Sequence, residues 1–463
     1  MLSDEHLQYI LDSALKHGAD FAELYLEDKE DMSVDYNGAV SAVSNMRIYG
    51  AGVYLIAGTR GVYVYTNDLS ESSLMDAVRR GAELLSLSDG RGSCPPFSEL
   101  SLTNPCPVRL YPGETACADK IRLLAEADRA AHALTPDLAA IKLTCYDRDQ
   151  RVRILNTEGL VTEDRRVTTR MRFIPVITNE HGTASRFTEF CSAAGYESYQ
   201  TGAHLKRLEL TIRDLAASLT AREAPSARVP VILEGGECTG TFFHEACGHQ
   251  LETTELLQGG MFFDKRGEQV ASDKVTLIDD GTVPGLYGSS RIDDEGMPRQ
   301  KNVLIENGIL KGFMADRLGA LKLKLPRTGS GRRQDYAHAP GARMSNTYLA
   351  AGSDDEAQMI RDTEEGLFVT KLGGGTGGRE FTILADTAYW IRHGEILCRV
   401  KGAMLSGRGN ETMKKIDRVG KTFVTDETGG AFCGADSGFC PTTTSGPRMR
   451  ISEMVVGGKG GKL

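Results

Sequence analysis

The chain has 463 residues, 40% of them hydrophobic and 25% charged, the balance of an ordinary globular protein that can bury a core without disulfide or metal props. A formal charge of -9, with no basic run, excludes a general polyanion binder, a nucleic-acid arm and a membrane-surface patch. The longest apolar runs, such as VYLIAG, fall far short of the roughly 18 residues that span a bilayer.

The opening stretch MLSDEHLQYILDSALKHGAD carries acids where an export signal needs a basic segment and an apolar core. Leu7, Ile10, Leu11 and Leu15 recur at helical spacing behind Ser3, which predicts an amphipathic helix in a cytoplasmic protein. Residues 21–67 alternate short segments rich in Val, Tyr and Ile with Asn-Gly and Gly, a meander of antiparallel hairpins. A helix is expected over 69–87, a Ser/Pro/Gly-rich loop over 88–113 and a second helix over 114–134. Strands follow near 139–147, 151–157, 161–176 and 187–194, then a helix over 199–218. AREAPSARVP (221–230) reads as a linker, and beyond it short strands and turns dominate.

The expected fold class is α+β in two domains: an α+β domain with an antiparallel sheet over 1–222, and a mostly β domain over 223–463 that carries the chemistry. The tail GGKGGKL is too poor in apolar surface to order itself. Ten cysteines without a CxxC pair, in a chain read as intracellular, point to free thiols or metal ligands rather than a disulfide framework.

Two of the nine histidines flank a glutamate in His244-Glu245-Ala246-Cys247-Gly248-His249, an H-E-x-x-x-H pattern. Two neutral imidazoles can hold zinc, which lowers the pKa of a bound water to about 7, and a carboxylate beside the first can receive that water's proton. Residues five apart on a regular helix are rotated by about 140°, so this pair can share one ion only if the helix widens into a π-type turn or ends near Gly248. Without that distortion the histidines face apart and bind nothing. A catalytic zinc commonly takes a third protein ligand. Glu252, Glu255, Cys433 and Cys440 are all candidates, whereas Cys247 reads as a small thiol packed behind the helix.

RQDYAHAPGARMSNTYL (333–349) concentrates Tyr336, His338 and Arg343, donors that suit an oxyanion or a peptide backbone and equally suit tying down a loop. KLGGGTGGREF (371–381) lacks the Gly-Lys-Ser/Thr ending and the following helix of a phosphate loop. Its glycines read as a flexible turn or as room for a peptide that adds to a sheet edge. The aspartates at 279–280 and 293–294 miss the spacing of a calcium loop and read as turn formers.

HEACGHQLE (244–252), LIDDGTVPGLYGSSRIDDEGMPRQKNVLIENGILKGFMADRLGA (277–320), RQDYAHAPGARMSNTYL (333–349), FTILADTAYWIRHGEI, VKGAMLSGRGNETMKKID (400–417) and FCGADSG (432–438) resemble, in order and content, the TldD side of the TldD/PmbA metallopeptidases, once described as modulators of DNA gyrase. The resemblance implies an α+β N-terminal domain, a β-rich C-terminal domain and a zinc peptidase that acts on small or unfolded peptides. It implies zinc ligands at His244, His249 and Cys433, the last in a Cys-Gly-x-Asp context that Cys440 lacks, with Glu245 as general base. It implies a dimer, either of this chain or with a PmbA-like subunit lacking the motif. A scaffold subunit with a structural metal and an amidase-type zinc hydrolase are the competing functions.

Overall fold

The computed structural model describes residues 2–426, 429–460 and 463. Strand outweighs helix by 43% to 24%, and the first half is organised by one eight-stranded sheet. Its central strand, Phe21–Tyr36, lies antiparallel between Val40–Ala57 and Leu138–Asn156, and Leu160–Asn179 follows on the far side. The expected break at 148–150 does not occur. Arg148 pairs with Asp31, Asp149 with Arg165, and Gln150 with Glu27, so charged cross-strand partners continue the ladder where polarity suggested a turn.

Alternate residues of the central strand serve two partners. Leu24 and Leu26 face helices α1 (Asp4–Lys16) and α2 (Glu71–Leu84), joined by Leu7, Ile10, Leu11, Leu74 and Val78. Further along, Val34 joins α3 (Cys117–Leu134) and α4 (Ala203–Ser218) in a second core around Leu124, Phe173, Phe190 and Ile212. The opposite face carries Glu23, Tyr25, Glu27 and Lys29, polar in composition yet buried. It is covered by the second half of the chain. Arg333 donates to Glu23 at 2.6 Å, the Tyr336 backbone N–H donates to Glu27 at 2.6 Å, and Lys29 lies 3.6 Å from Asp335.

The second half contains an eight-stranded and a seven-stranded sheet. Helix α5 (Glu237–Phe243) contacts strands of both, burying Phe242 and Phe243 completely. The segment expected to be a linker is part of this architecture. Arg222–Glu223 pairs with Val400–Lys401, Ala224 is fully buried, and Ala227–Leu233 runs between Glu365–Thr376 and Met449–Gly457. Pro225 falls between the two strands and Pro230 at the bulge between Val229 and Val231, where a missing N–H costs little.

The aspartate pairs act as turn and interface groups. Asp279 accepts from Ser345 and Thr347, Asp293 caps the turn at Glu295 and Met297, and Asp294 pairs with Arg166. Within the tail expected to fray, residues 461 and 462 lie outside the described residues, while Leu463 rests on the second-half core. Among the described residues no helix is long and apolar enough to cross a membrane.

Candidate metal centre

The helix that begins as α5 widens over His244–Gly248 into a π-turn and tightens into a 3-10 turn over His249–Leu251. The widened turn corrects the five-residue spacing and brings both imidazoles to one side, with ring centroids 5.0 Å apart. Gly248 keeps right-handed φ and ψ, so its role is space rather than conformational freedom. A Cβ there would lie 2.3 Å from Met344 Sδ.

The third arm arrives from the far end of the chain. Strand Ala431–Ala435 places Cys433 Sγ 3.2 Å from His244 Nε2 and 3.4 Å from His249 Nε2. One donor atom from each of His244, His249 and Cys433 lies within 4.8 Å of the others, the one such group of three found among the described residues. Of the third-ligand candidates, Glu252 and Glu255 are outside this group, as is Cys440. Glu252 sits behind the cluster, its Oε2 3.3 Å from His249 Nδ1 and its Oε1 accepting from the Met344 N–H at 3.1 Å. A carboxylate on the far nitrogen fixes the ring and leaves Nε2 to turn toward Cys433. The spacing of three residues from His249 on a helical turn was the sequence signal for this role.

Glu245 is half-buried and lines two cavities of 610 and 300 Å³, both of which also touch His249 and Gly434. The cleft therefore crosses the carboxylate, with room on both sides. The glycine-rich segment between strands Glu365–Thr376 and Glu380–Arg392 closes over it. A Cβ on Gly377 would lie 2.6 Å from the Glu245 carbonyl oxygen and 2.7 Å from its Oε2, so only glycine allows that approach.

The three donors singled out in 333–349 do not converge on the cluster. Tyr336 turns its ring to Tyr65, and its carbonyl accepts from the Tyr63 hydroxyl at 2.7 Å. His338 holds Asp335 at 2.7 Å, and neither side chain lines the two cavities. Arg343 does reach the larger cavity, but it is 1% exposed and its two terminal nitrogens donate into the cysteine hairpin. They donate to the carbonyls of Cys433 at 2.6 Å and Gly438 at 2.8 Å, and to Ser437 Oγ at 3.1 Å. Its Nε also lies 3.7 Å from Glu252. A buried guanidinium thus ties the cysteine strand to the carboxylate that orients His249. Cys247 is buried, with Sγ on the Phe243 carbonyl, behind the helix as its small size suggested.

Burial alone would lower the pKa of His249, but its hydrogen bonds to Cys433 and Glu252 raise it from 6.5 to about 11. Burial would likewise raise that of Cys433, but hydrogen bonds from His244 and His249 lower it from 9.0 to about 5. The metal-free cluster is a thiolate facing an imidazolium. Between pH 6.5 and 9.0 the folded and unfolded pair hold the same number of protons, so its contribution to stability is flat there. Below 6.5 the unfolded histidine gains a proton that the folded thiolate refuses until about 5, and stability falls with pH. Above 9.0 the unfolded thiol loses a proton that folded His249 keeps to about 11, and stability falls as pH rises. The difference in urea stability between metal-free wild type and Cys433→Ser is expected to rise from pH 5, to level off only above 6.5 because Glu252 still raises the His249 pKa in the variant, and to fall again towards pH 11. A difference that rises or falls monotonically from pH 5 to 11 contradicts the ion pair.

Two imidazoles, a thiolate and an adjacent carboxylate at the floor of a cleft are the donor set of a mononuclear metallohydrolase. Comparison with known proteins places this class in a lineage. The chain belongs to the PmbA/TldD metallopeptidase family. Residues 226–458 match the PmbA/TldA metallopeptidase C-terminal domain, 22–85 match domain 1 and 112–225 match the central domain. The first two matched segments in chain order share the single N-terminal sheet described above. The chain is 32% identical to the metalloprotease TldD homolog of Haemophilus influenzae, over 99% of this chain and 97% of that one. It is 27% identical to the zinc metalloprotease TldD homolog of Saccharolobus solfataricus, over 73% and 76%. The fold matches the crystal structure of TldE from Thermococcus kodakarensis with a TM-score of 0.74 at 18% identity, covering 97% of this chain and 99% of that one.

Proposed function

We propose that this chain is a zinc-dependent peptidase in which His244, His249 and Cys433 hold the metal and Glu245 is the general base. The observation that carries the reading is the convergence of two imidazole nitrogens and one thiol on a cleft that Glu245 lines. The donor chemistry fits zinc, a borderline-soft cation commonly bound by imidazole and thiolate. When bound, zinc supplies a water acidified to about pKa 7 and a positive charge beside the scissile carbonyl. The Glu245 carboxylate receives the proton of the attacking water and returns it to the leaving amine. Glu252 keeps the His249 ring aligned, and Arg343 holds the backbone of the Cys433 strand.

Three converging protein donors, with no fourth His, Cys, Asp or Glu among the described residues, favour catalysis over a closed structural site. For the substrate we infer an extended peptide. Among the described residues, strand Ala431–Ala435 is paired on one side only, with Gly438–Gly446, and residues 430–434 line the smaller cavity, so a substrate strand can add to the free edge. Such binding reads backbone more than side chains and suits unfolded peptides.

The family resemblance adds a dimer, of this chain or with a PmbA-like subunit. Full peptidase activity in a sedimenting monomer sinks that part. The central test is removal of metal by a strong chelator. Cleavage of a mixture of unstructured peptides is expected to cease and to return on adding zinc. Cleavage that persists in protein shown by elemental analysis to be metal-free overturns the reading.

A further inference from the structure

Cys440 is the residue of AFCGADSGFC that the metal reading leaves without a task. It stands directly across from Cys433 in the antiparallel hairpin of Ala431–Ala435 and Gly438–Gly446. Ala435 pairs with Gly438 around Asp436 and Ser437, so the tight turn fixes the register and the pair cannot slip. Directly opposed residues of an antiparallel pair share a face, with Cα atoms about 4.5–5.5 Å apart. That separation lies inside the roughly 4.4–6.8 Å over which a disulfide closes. Arg343 grips the carbonyls of Cys433 and Gly438 and so holds the two strands together.

The two thiols differ in access. Cys433 lines the smaller cavity, where a small oxidant can reach it, whereas Cys440 is 1% exposed and lies behind the cleft wall. A thiol lining a cleft with a second thiol directly across the hairpin is the arrangement of an attacking and a resolving cysteine.

We propose that Cys440 is the resolving thiol of Cys433, and that a peroxide closes a Cys433–Cys440 disulfide that withdraws the thiolate from His244 and His249 and releases the metal. The proposal rests on the reading of Cys433 as a ligand. The Cys433 thiolate attacks one peroxide oxygen and breaks the O–O bond. Its sulfur becomes a sulfenic acid, and the departing hydroxide takes a proton to leave as water. The Cys440 thiol attacks that sulfur, the S–S bond forms, and the hydroxyl leaves with the thiol proton as a second water. Two thiols are oxidised and one peroxide is reduced. Without Cys440 the sulfenic acid has no thiol across the hairpin, and further peroxide carries it to the irreversible sulfinic acid. Cys440 thereby converts damage into a reversible off state.

The zinc-loaded full chain is treated with hydrogen peroxide in the presence of a colorimetric zinc indicator, alkylated and digested with trypsin without reduction. The tryptic peptide 422–448 contains these two cysteines and no other. The expected result is release of one equivalent of zinc, with peptide 422–448 lighter by two hydrogens and closed to alkylation. Dithiothreitol and added zinc restore both thiols and full occupancy. Cys440→Ala, with Cys440→Ser as a second variant, binds zinc before oxidation, forms no light peptide and fails to regain zinc after reduction.

If both thiols of 422–448 still alkylate after all zinc has left the wild type, the proposal falls. It falls equally if Cys440→Ala recovers zinc as fully as wild type. A light peptide from the metal-free protein, together with undiminished zinc in Cys433→Ser, overturns the release of metal and the ligand reading at once. Absence of the light peptide while Cys433→Ser lacks zinc overturns this proposal alone.

Discussion

Glu245→Gln is expected to lower kcat for peptide hydrolysis by about 10²–10⁴-fold, the usual worth of a positioned general base, while the protein keeps its zinc. The substitution preserves the shape of the side chain beneath Gly377, where nothing larger than glycine fits against Oε2, so the hairpin over the cleft keeps its seat. It removes the proposed proton acceptor and leaves the three converging donors untouched. Metal content by elemental analysis and kcat on one unstructured peptide separate the roles. Lost zinc with lost activity would mean that Glu245 supports the metal, and retained activity would move the base elsewhere. The same inactive variant is the protein in which to trap substrate. An extended peptide is expected to pair with the open edge of Ala431–Ala435, and a peptide bound without main-chain pairing there removes the strand-addition reading.

The motif was legible in the sequence because five-residue spacing is a geometric statement. Two histidines that far apart need a widened helix, and the π-turn over His244–Gly248 supplies it. Cys433 was not legible by spacing, being 184 residues from His249, and only the resemblance to a family separated it from Cys440 and the nearby glutamates. The donors of 333–349 illustrate the opposite limit. Tyr336, His338 and Arg343 could be named from composition, but which hydrogen bonds each had already made could not. Arg343 is committed to three carbonyl and hydroxyl oxygens of the cysteine hairpin, and Tyr336 to the N-terminal sheet.

The fold shows the same division. Alternation read the strands of 21–57 correctly, yet a polar face normally signals solvent, and Glu23, Glu27 and Lys29 are buried because Arg333, Tyr336 and Asp335 come from more than 300 residues away. Pairing that distant leaves no local pattern. The segment 221–230 misled for a related reason, since proline-rich polar sequence describes a linker and a short or bulged strand alike.

Cys433→Ser is expected to weaken zinc binding by more than about 100-fold, because losing a group that merely orients a ligand already costs about 10–100-fold. The serine hydroxyl has nearly the shape of the thiol, but at neutral pH it stays protonated where the thiol, its pKa lowered to about 5, offers an anion. Glu252→Gln is the matched control. The amide can still meet the His249 ring but carries no charge, so binding is expected to fall within that smaller range while the protein folds normally. Competition against a chromophoric chelator, with circular dichroism to verify the fold, reads both values. Equal losses in the two variants would mean that the thiol also acts by orienting the histidines. Undiminished zinc in Cys433→Ser would move the third ligand away from this hairpin altogether, and with it the reason that Arg343 is buried against the Cys433 carbonyl.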